Sequence, residues 1–294
     1  MSRYRSITMD IVKTRAEVRA ALNRTAGRVG LAATMGALHD GHVAVTRAAR
    51  AESDFLVASL FVNPAQFEGA DDFQTYPRPF ERDMDIFERE GVDLVWAPPV
   101  EEVYPEGFET YVEPGPISHR LEGEYRPGHF RGVATVVAKL FNVIRPNVAV
   151  LGQKDWQQTR VIEALIRDLD FDIEMPVVPT VRNGEGLALS SRNRLLSGDQ
   201  SLTATIVYRA LKSAADAYES GERDARTLRE LVTSTLATEP RCRTEYVSAA
   251  HAFTLNELDR AADPMVISCA AYVGRVRLID NMVFGVDLYG AEAS

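Results

Sequence analysis

The sequence predicts an α/β protein: a Rossmann-like, doubly wound parallel sheet over residues 1–183, followed by a smaller α+β unit over residues 184–294. Three observations carry this reading. Short, nearly continuous apolar runs alternate with amphipathic helical segments up to about residue 180, the pattern of βα repeats whose strands are covered on both faces. After about residue 185 the alternation stops, and helices are followed by strands. A length of 294 residues suits one large domain or two of ordinary size.

Taken in order, the strands of the first unit are expected at Val29 to Ala33, Phe55 to Val62, Asp93 to Ala97 and Asn147 to Leu151. A helical run, Val43 to Arg50, follows the first of them. Phe80, Met84 and Phe87 stand at i, i+4 and i+7, with Gly91 as the stop. From Gly132 to Arg145, one stripe of Val133, Val136, Val137, Leu140, Phe141 and Ile144 ends before Pro146. Val161, Leu165, Ile166 and Leu169 mark a further helix. The turn-like Arg182-Asn183-Gly184 sets the join between units. Beyond it come helices at about 199–219 and 224–236, separated by Ser220-Gly221, and strands at Thr244 to Ser248, Met265 to Val273 and Arg275 to Ile279. In a doubly wound sheet the ligand crevice lies at the carboxyl ends of the strands.

Composition narrows the function classes. A net charge of −9 disfavours a nucleic-acid partner, although one cleft can still be basic. Residues Met1 to Asp10 carry no apolar run after their arginines, so no signal peptide is expected. No apolar stretch approaches the ~20 residues of a membrane span. Cys242 and Cys269 have no metal-like spacing and are expected as reduced, mostly buried side chains, which fits a cytoplasmic location.

Four segments at predicted strand ends could carry chemistry. Thr34-Met35-Gly36-Ala37-Leu38-His39-Asp40-Gly41-His42 is a glycine-bearing turn feeding a helix N-terminus, where phosphates bind. His39 and His42, three apart, project from one face of the first turn and can donate to phosphoryl oxygens. The bland reading is two surface histidines beside a turn. Asn63 and Gln66, in Leu60-Phe61-Val62-Asn63-Pro64-Ala65-Gln66-Phe67, can orient a small carboxylate or hydroxyl, or Asn63 can simply cap a turn. In Gly152-Gln153-Lys154-Asp155-Trp156-Gln157-Gln158, Lys154 can place charge on a phosphate and Asp155 can bind a ribose or cap the next helix. Gln158 emerges in that helix's first turn, facing the same crevice as Gln66. Leu189-Ser190-Ser191-Arg192 reads as a phosphate clamp, Arg192 engaging bidentately, or as a plain polar loop. A fifth stretch, Arg126 to Gly132 with His129, is either a helix-capping loop or a wall facing an anion.

Together the motifs TMGALHDGH (34–42), FVNPAQF (61–67), RPGHFRGV (126–133), GQKDWQQ (152–158) and LALSSRN (187–193) resemble the pantothenate synthetase (pantoate–β-alanine ligase) family in order and interval. The likeness extends to Val276-Arg277-Leu278-Ile279-Asp280-Asn281. The resemblance implies a nucleotidyltransferase-type fold related to class I aminoacyl-tRNA synthetases, with residues 184–294 as a lid. It implies ATP-dependent condensation of pantoate with β-alanine through a pantoyl adenylate, with Mg²⁺ accompanying ATP, in a homodimer. By the same resemblance, Met35 to His42, Gly152 to Asp155, Val181 and Leu189 to Arg192 hold ATP. His42 is the proton donor, and His39, Lys154 and Arg192 face the phosphates. Gln66 and Gln158 contact pantoate.

Two positions depart from the family pattern. Ala33 stands where many members have proline, which implies a looser turn. Only Asp83 remains of an acidic pair linked to the metal, Arg82 standing beside it, so the protein ligand of Mg²⁺ is left open. Two other functions are weighed. An adenylyltransferase acting on a nucleotide or phosphopantetheine accounts for the paired histidines but not for Gln66 and Gln158. A regulatory nucleotide binder would have lost His39, His42, Lys154 or Arg192, and all are present.

Overall fold

The fold is that of a computed structural model that describes residues 9–67 and 69–290, with the side chains of residues 70–72 left aside. The segment examined for a leader, residues 1–10, lies outside the described residues up to residue 8.

The first unit opens with a short strand, β1 (Asp10–Val12), and a helix, α1 (Arg15–Leu22). Thr14 caps α1 through a reciprocal capping box with Glu17. Then follow β2 (Val29–Thr34), α2 (Asp40–Ala51) and β3 (Phe55–Leu60). After these come α3 (Ala70–Thr75), α4 (Phe80–Arg89), β4 (Leu94–Trp96), α5 (Val100–Val103), α6 (Glu122–Tyr125) and α7 (His129–Ile144). β5 (Val148–Ala149) completes a five-stranded sheet of order β1-β4-β3-β2-β5, parallel throughout.

The strands are buried on both faces, as their apolar runs require. Within β2, Leu31 joins the core formed with α1, α7 and α8 (Trp156–Asp168), while Ala32 joins the opposite core with Ala48, Ala49, Met84 and Phe87. The predicted strand 147–151 divides. After Val150 the chain leaves β2, and β6 (Leu151–Gly152) pairs instead with β7 (Val177–Val178). From β2 the chain steps outward to β3 and β4, then crosses back to β5 on β2's other side. The carboxyl end of β2 is therefore the switch point of the sheet, where such folds bind ligands.

Beyond residue 190, α9 (Gly198–Glu219) and α10 (Ala225–Ala237) cover an antiparallel sheet of order β10-β9-β8. Its strands are β8 (Cys242–His251), β9 (Met265–Val273) and β10 (Val276–Phe284). They enclose a core of their own that includes Ile206, Leu211, Leu228, Leu236 and Ile267. A smaller cluster joins the halves: Trp156 and Val177 pack on Ala250, Ala252, Leu255 and Val266, and the Trp156 indole N–H donates to the Ala252 carbonyl at 2.8 Å. Among the described residues, no helix is long and apolar enough to cross a membrane.

Candidate active site

The corner after β2 is held by its backbone. Gly36 and Ala37 both have positive φ, 83° and 53°. The Ala37 conformation is costly for a residue with a Cβ, and it persists because both neighbouring amides are anchored. The Asp83 carboxylate, buried beneath the turn, accepts from the N–H groups of Ala37 at 2.8 Å and Leu38 at 2.9 Å. Asp83 therefore organises the turn from below, and its two oxygens are spent on amides rather than presented to a metal. Ala33 sits within the β2–β3 ladder opposite Ser59. The next residue, Thr34, donates through Oγ1 to the Ser59 carbonyl at 2.9 Å and receives the Gly36 N–H at 3.3 Å.

The glycines serve this packing more than ligand access. A Cβ on Gly36 would lie 2.8 Å from Leu60 and 2.9 Å from Asp83. One on Gly41 would lie 2.9 Å from the His39 ring, which folds over it.

His39 caps α2, its Nδ1 accepting the Gly41 N–H at 3.2 Å. His42 reaches back so that its Nδ1 accepts the His39 N–H at 3.3 Å, and the two rings lie 4.1 Å apart. Two backbone donors thus assign the same tautomer to both, with hydrogen on Nε2. Burial, then the charge of Lys154, holds His39 down to about 4. Burial, then the neighbouring His39, holds His42 down to about 3. Both are neutral at pH 7, and their Nε2–H edges are left for the cleft they line.

That cleft is continuous. It is lined by Met35, His39, Gly41 and His42 of the corner, by Asn63, Gln66 and Gln158, by Gly152, Lys154 and Asp155, and by Val181 with Leu189 to Arg192. Of the residues singled out in the sequence, Gly36, Ala37, Leu38, Asp40 and Gln153 do not line it. Ala37 and Leu38 are buried under the turn, and Gln153 is buried behind the Lys154 turn.

Asn63 is a positioning group in this structure. Its Oδ1 accepts from Ala65 N–H at 3.3 Å and the Tyr104 hydroxyl at 2.8 Å. Its Nδ2 donates to the Gly132 carbonyl at 3.1 Å and to Gln66 Oε1 at 2.9 Å. The side chain is fully subscribed, and what it orients is Gln66. His129, which the sequence leaves between two roles, supports the same residue: its Nδ1 bonds the Gln66 carbonyl at 2.9 Å. Burial, then Arg126, holds His129 down to about 4, so it is neutral and Nδ1 is the donor.

Asp155 stands at the cap position of α8 but makes no capping hydrogen bond. Its carboxylate lies 3.6 Å from Lys154 Nζ. Burial pushes it up, yet Lys154 and Arg192 outweigh burial and hold it below the usual aspartate range. The clamp is docked: Ser190 caps a 3-10 turn (Ser191–Leu195), Ser191 Oγ bonds the buried Tyr76 hydroxyl at 3.1 Å, and Arg194 donates to the Leu38 carbonyl at 3.1 Å. Tyr76, to which the sequence assigns no role, lines the cleft as well.

Chemically one cleft brings together neutral N–H donors, the cations Lys154 and Arg192, and the amides Gln66 and Gln158. Such an array stabilises charge moving on a phosphoryl group beside a positioned acid.

Comparison with known proteins bears on this geometry. The model of the pantoate-beta-alanine ligase family matches residues 10–283. Pantothenate synthetase of Chloroflexus aurantiacus is 51% identical over 275 residues, 93% of this chain and 97% of that one. The crystal structure of pantothenate synthetase from Thermus thermophilus superposes with a TM-score of 0.89 at 44% identity, over 93% of this chain and 99% of that one. A pantoate-beta-alanine ligase from Francisella tularensis, solved with β,γ-ATP and β-alanine, gives a TM-score of 0.78 at 33% identity, over 94% of this chain and 98% of that one. Fold, cleft and near full-length likeness agree, and the chain belongs to the pantoate–β-alanine ligase family.

Proposed function

We infer that the cleft catalyses ATP-dependent condensation of pantoate with β-alanine, giving pantothenate, AMP and pyrophosphate through a pantoyl adenylate. The observation that carries this is the convergence on one cleft of paired neutral histidines, Lys154 and the Ser190–Arg192 clamp with the two glutamines Gln66 and Gln158.

A carboxylate is a poor electrophile, so an AMP leaving group must be installed before an amine can attack. In the first half-reaction the pantoate carboxylate oxygen attacks the α-phosphorus of ATP, and the bond to pyrophosphate breaks. His39 and His42 donate Nε2–H bonds to the phosphoryl oxygens as charge builds, while Lys154 and Arg192 neutralise the departing pyrophosphate. Gln66 and Gln158 fix the acid in line. Asp155, free of capping duty, receives the ribose hydroxyls, and Val181 with Leu189 lies against the base. The cleft-lining residues Met35, Gly41 and Gly152, with Ser190 and Ser191, frame the nucleotide. In the second half-reaction the β-alanine amine attacks the acyl carbon and AMP leaves. No covalent intermediate on the enzyme is required.

Because the histidines are neutral, they act as hydrogen-bond donors rather than as imidazolium acids. Mg²⁺ would accompany ATP and offset phosphate charge, since it keeps several waters and needs few protein ligands. Asp83 is spent on two amides, so its carboxylate would not be the protein's ligand to that ion.

Residues 1–183 form the nucleotide- and acid-binding unit in this reading, and residues 184–294 the unit that closes the cleft from above. The free thiols of Cys242 and buried Cys269 fit a reducing, cytoplasmic setting. A homodimer is part of the proposal, and sedimentation of the purified chain tests it.

A single turnover with enzyme in excess of ATP, pantoate present and β-alanine withheld, tests the chemistry. It should yield pyrophosphate and an acyl adenylate that added β-alanine consumes. Pyrophosphate formed only once β-alanine is present would overturn the stepwise route.

A further inference from the structure

The turn that carries Lys154 is tied to a distant strand. Residues Gln153–Asp155 form a single 3-10 turn between β6 and α8. The Gln153 and Lys154 carbonyls both point at one side chain from the far end of the sequence. Asn281, in the middle of β10 and opposite Ser268 of β9, donates through Nδ2 to the Lys154 carbonyl at 3.0 Å and the Gln153 carbonyl at 3.1 Å. Its Oδ1 accepts from Gln153 Nε2 at 3.2 Å, and Gln153 Oε1 in turn accepts the Thr180 N–H at 3.1 Å. Asn281 is 3% exposed and Gln153 8%, so water does not compete for these bonds.

One amide on β10 therefore holds the backbone at Lys154, and through Gln153 it holds Thr180, next to the cleft-lining Val181. The neighbouring Asp280 accepts from the two terminal guanidinium nitrogens of Arg182 and from the Asn281 N–H at 2.8 Å, which fixes the strand at that point.

We propose that Asn281 is a positioning residue for adenylation, acting through Lys154: it holds the Lys154 turn at the distance from His39 and His42 that a triphosphate needs. The proposal rests on the function inferred above.

Chemistry singles out one substitution. Asn281→Asp keeps size and shape but removes both donors and sets a carboxylate against two carbonyl oxygens. It should lower kcat for pantoate-dependent pyrophosphate release at least 10-fold and raise the Kd for ATP at least 5-fold, leaving the KM for pantoate within about 2-fold, in line with the transition-state value of a lost donor.

The decisive readout is coupling to Lys154. If Asn281 acts through that lysine, adding Asn281→Asp to Lys154→Ala should cost less than about 2-fold more, whereas a general structural defect adds its full effect. Should Asn281→Asp not fold, Asn281→Ser, which admits a water, is carried through the same cycle and should show the same coupling with a smaller loss. Wild-type kcat and ATP affinity in the variant, or losses that multiply with those of Lys154→Ala, would overturn the proposal. A wild-type protein that binds ATP but releases no pantoate-dependent pyrophosphate would instead refute the inferred activity, and the ATP titrations would still decide the role of Asn281.

Discussion

The imidazoles of His39 and His42 lie 4.1 Å apart, and each turns its Nδ1 toward a backbone N–H of the same helix start. This arrangement fixes the tautomer of both rings and commits their Nε2–H edges to the cleft. His42→Ala should therefore lower the rate of pantoyl adenylate formation by about 10²-fold or more, the usual effect of removing one transition-state donor. Single-turnover quench measures it, and a rate within about 3-fold of wild type would show the ring is not used.

Activity should respond to pH as expected for neutral donors. With His39 at about 4 and His42 at about 3, neither ring changes charge between pH 8 and 5. The profile of kcat/KM for ATP, which reports the free enzyme, should show no histidine inflection in that range. An inflection near pH 6.5 that disappears in His42→Ala would contradict the assignment.

Folding stability carries the same signature. An unfolded histidine titrates near about 6.5, whereas His39, His42 and His129 are held at about 4, about 3 and about 4 in the folded chain. Between those values the unfolded chain binds more protons, so stability rises with pH. It is fully present above about pH 7 and is lost progressively as pH falls through 6.5 toward 4. Urea midpoints taken at steps from pH 7.5 to 4.5 should fall throughout the lower part of that range. A level midpoint would be inconsistent with three buried neutral rings.

Asp83→Asn should damage the corner without touching metal dependence. The substitution replaces one acceptor with a donor facing a buried amide, at a cost of about 1–3 kcal/mol for each N–H left unpaired. It should raise the KM for ATP and lower the urea midpoint, while the Mg²⁺ concentration for half-maximal rate stays unchanged. A variant rescued by excess Mg²⁺ would make Asp83 a metal ligand after all.

Much of the site is legible in the sequence because its parts stand at strand ends, where periodicity breaks and polar residues cluster. The run Val29 to Ala33 and its extension by Thr34, which pairs with Leu60, need only the period of the strand. Strand β1 escapes because it is a three-residue edge whose Ile11 is 45% exposed, so no apolar run marks it. Helix α1 does carry a signal, Thr14 followed by Glu17, which the reading of apolar periodicity passes over. Asp83 reads as a remnant of a metal pair because sequence reports a carboxylate but not which way it faces. Asn281 and Glu122 act across 128 and 155 positions respectively, and no local pattern announces a partner that far away.

Glu122 gives a test of how the two halves are joined. Its buried carboxylate accepts from Arg277 at 2.7 and 2.9 Å and from the Tyr246 hydroxyl at 2.9 Å, tying α6 to β10 and β8. Burial pushes this glutamate up, but the bonds and charge of Arg277 outweigh it and keep it ionised. Glu122→Ala leaves Arg277 with Glu245 alone and should cost about 3–5 kcal/mol, the range for breaking a buried pair. Urea denaturation reads this directly, and a loss under about 1 kcal/mol would show the network contributes little.

The central claim is that this cleft activates pantoate with ATP, and pyrophosphate release by the purified wild-type protein tests it most directly. Release should require ATP and pantoate together, and neither β-alanine with ATP nor unrelated carboxylic acids with ATP should support it. Release that is independent of pantoate, or none with both substrates and Mg²⁺ present, would contradict the account.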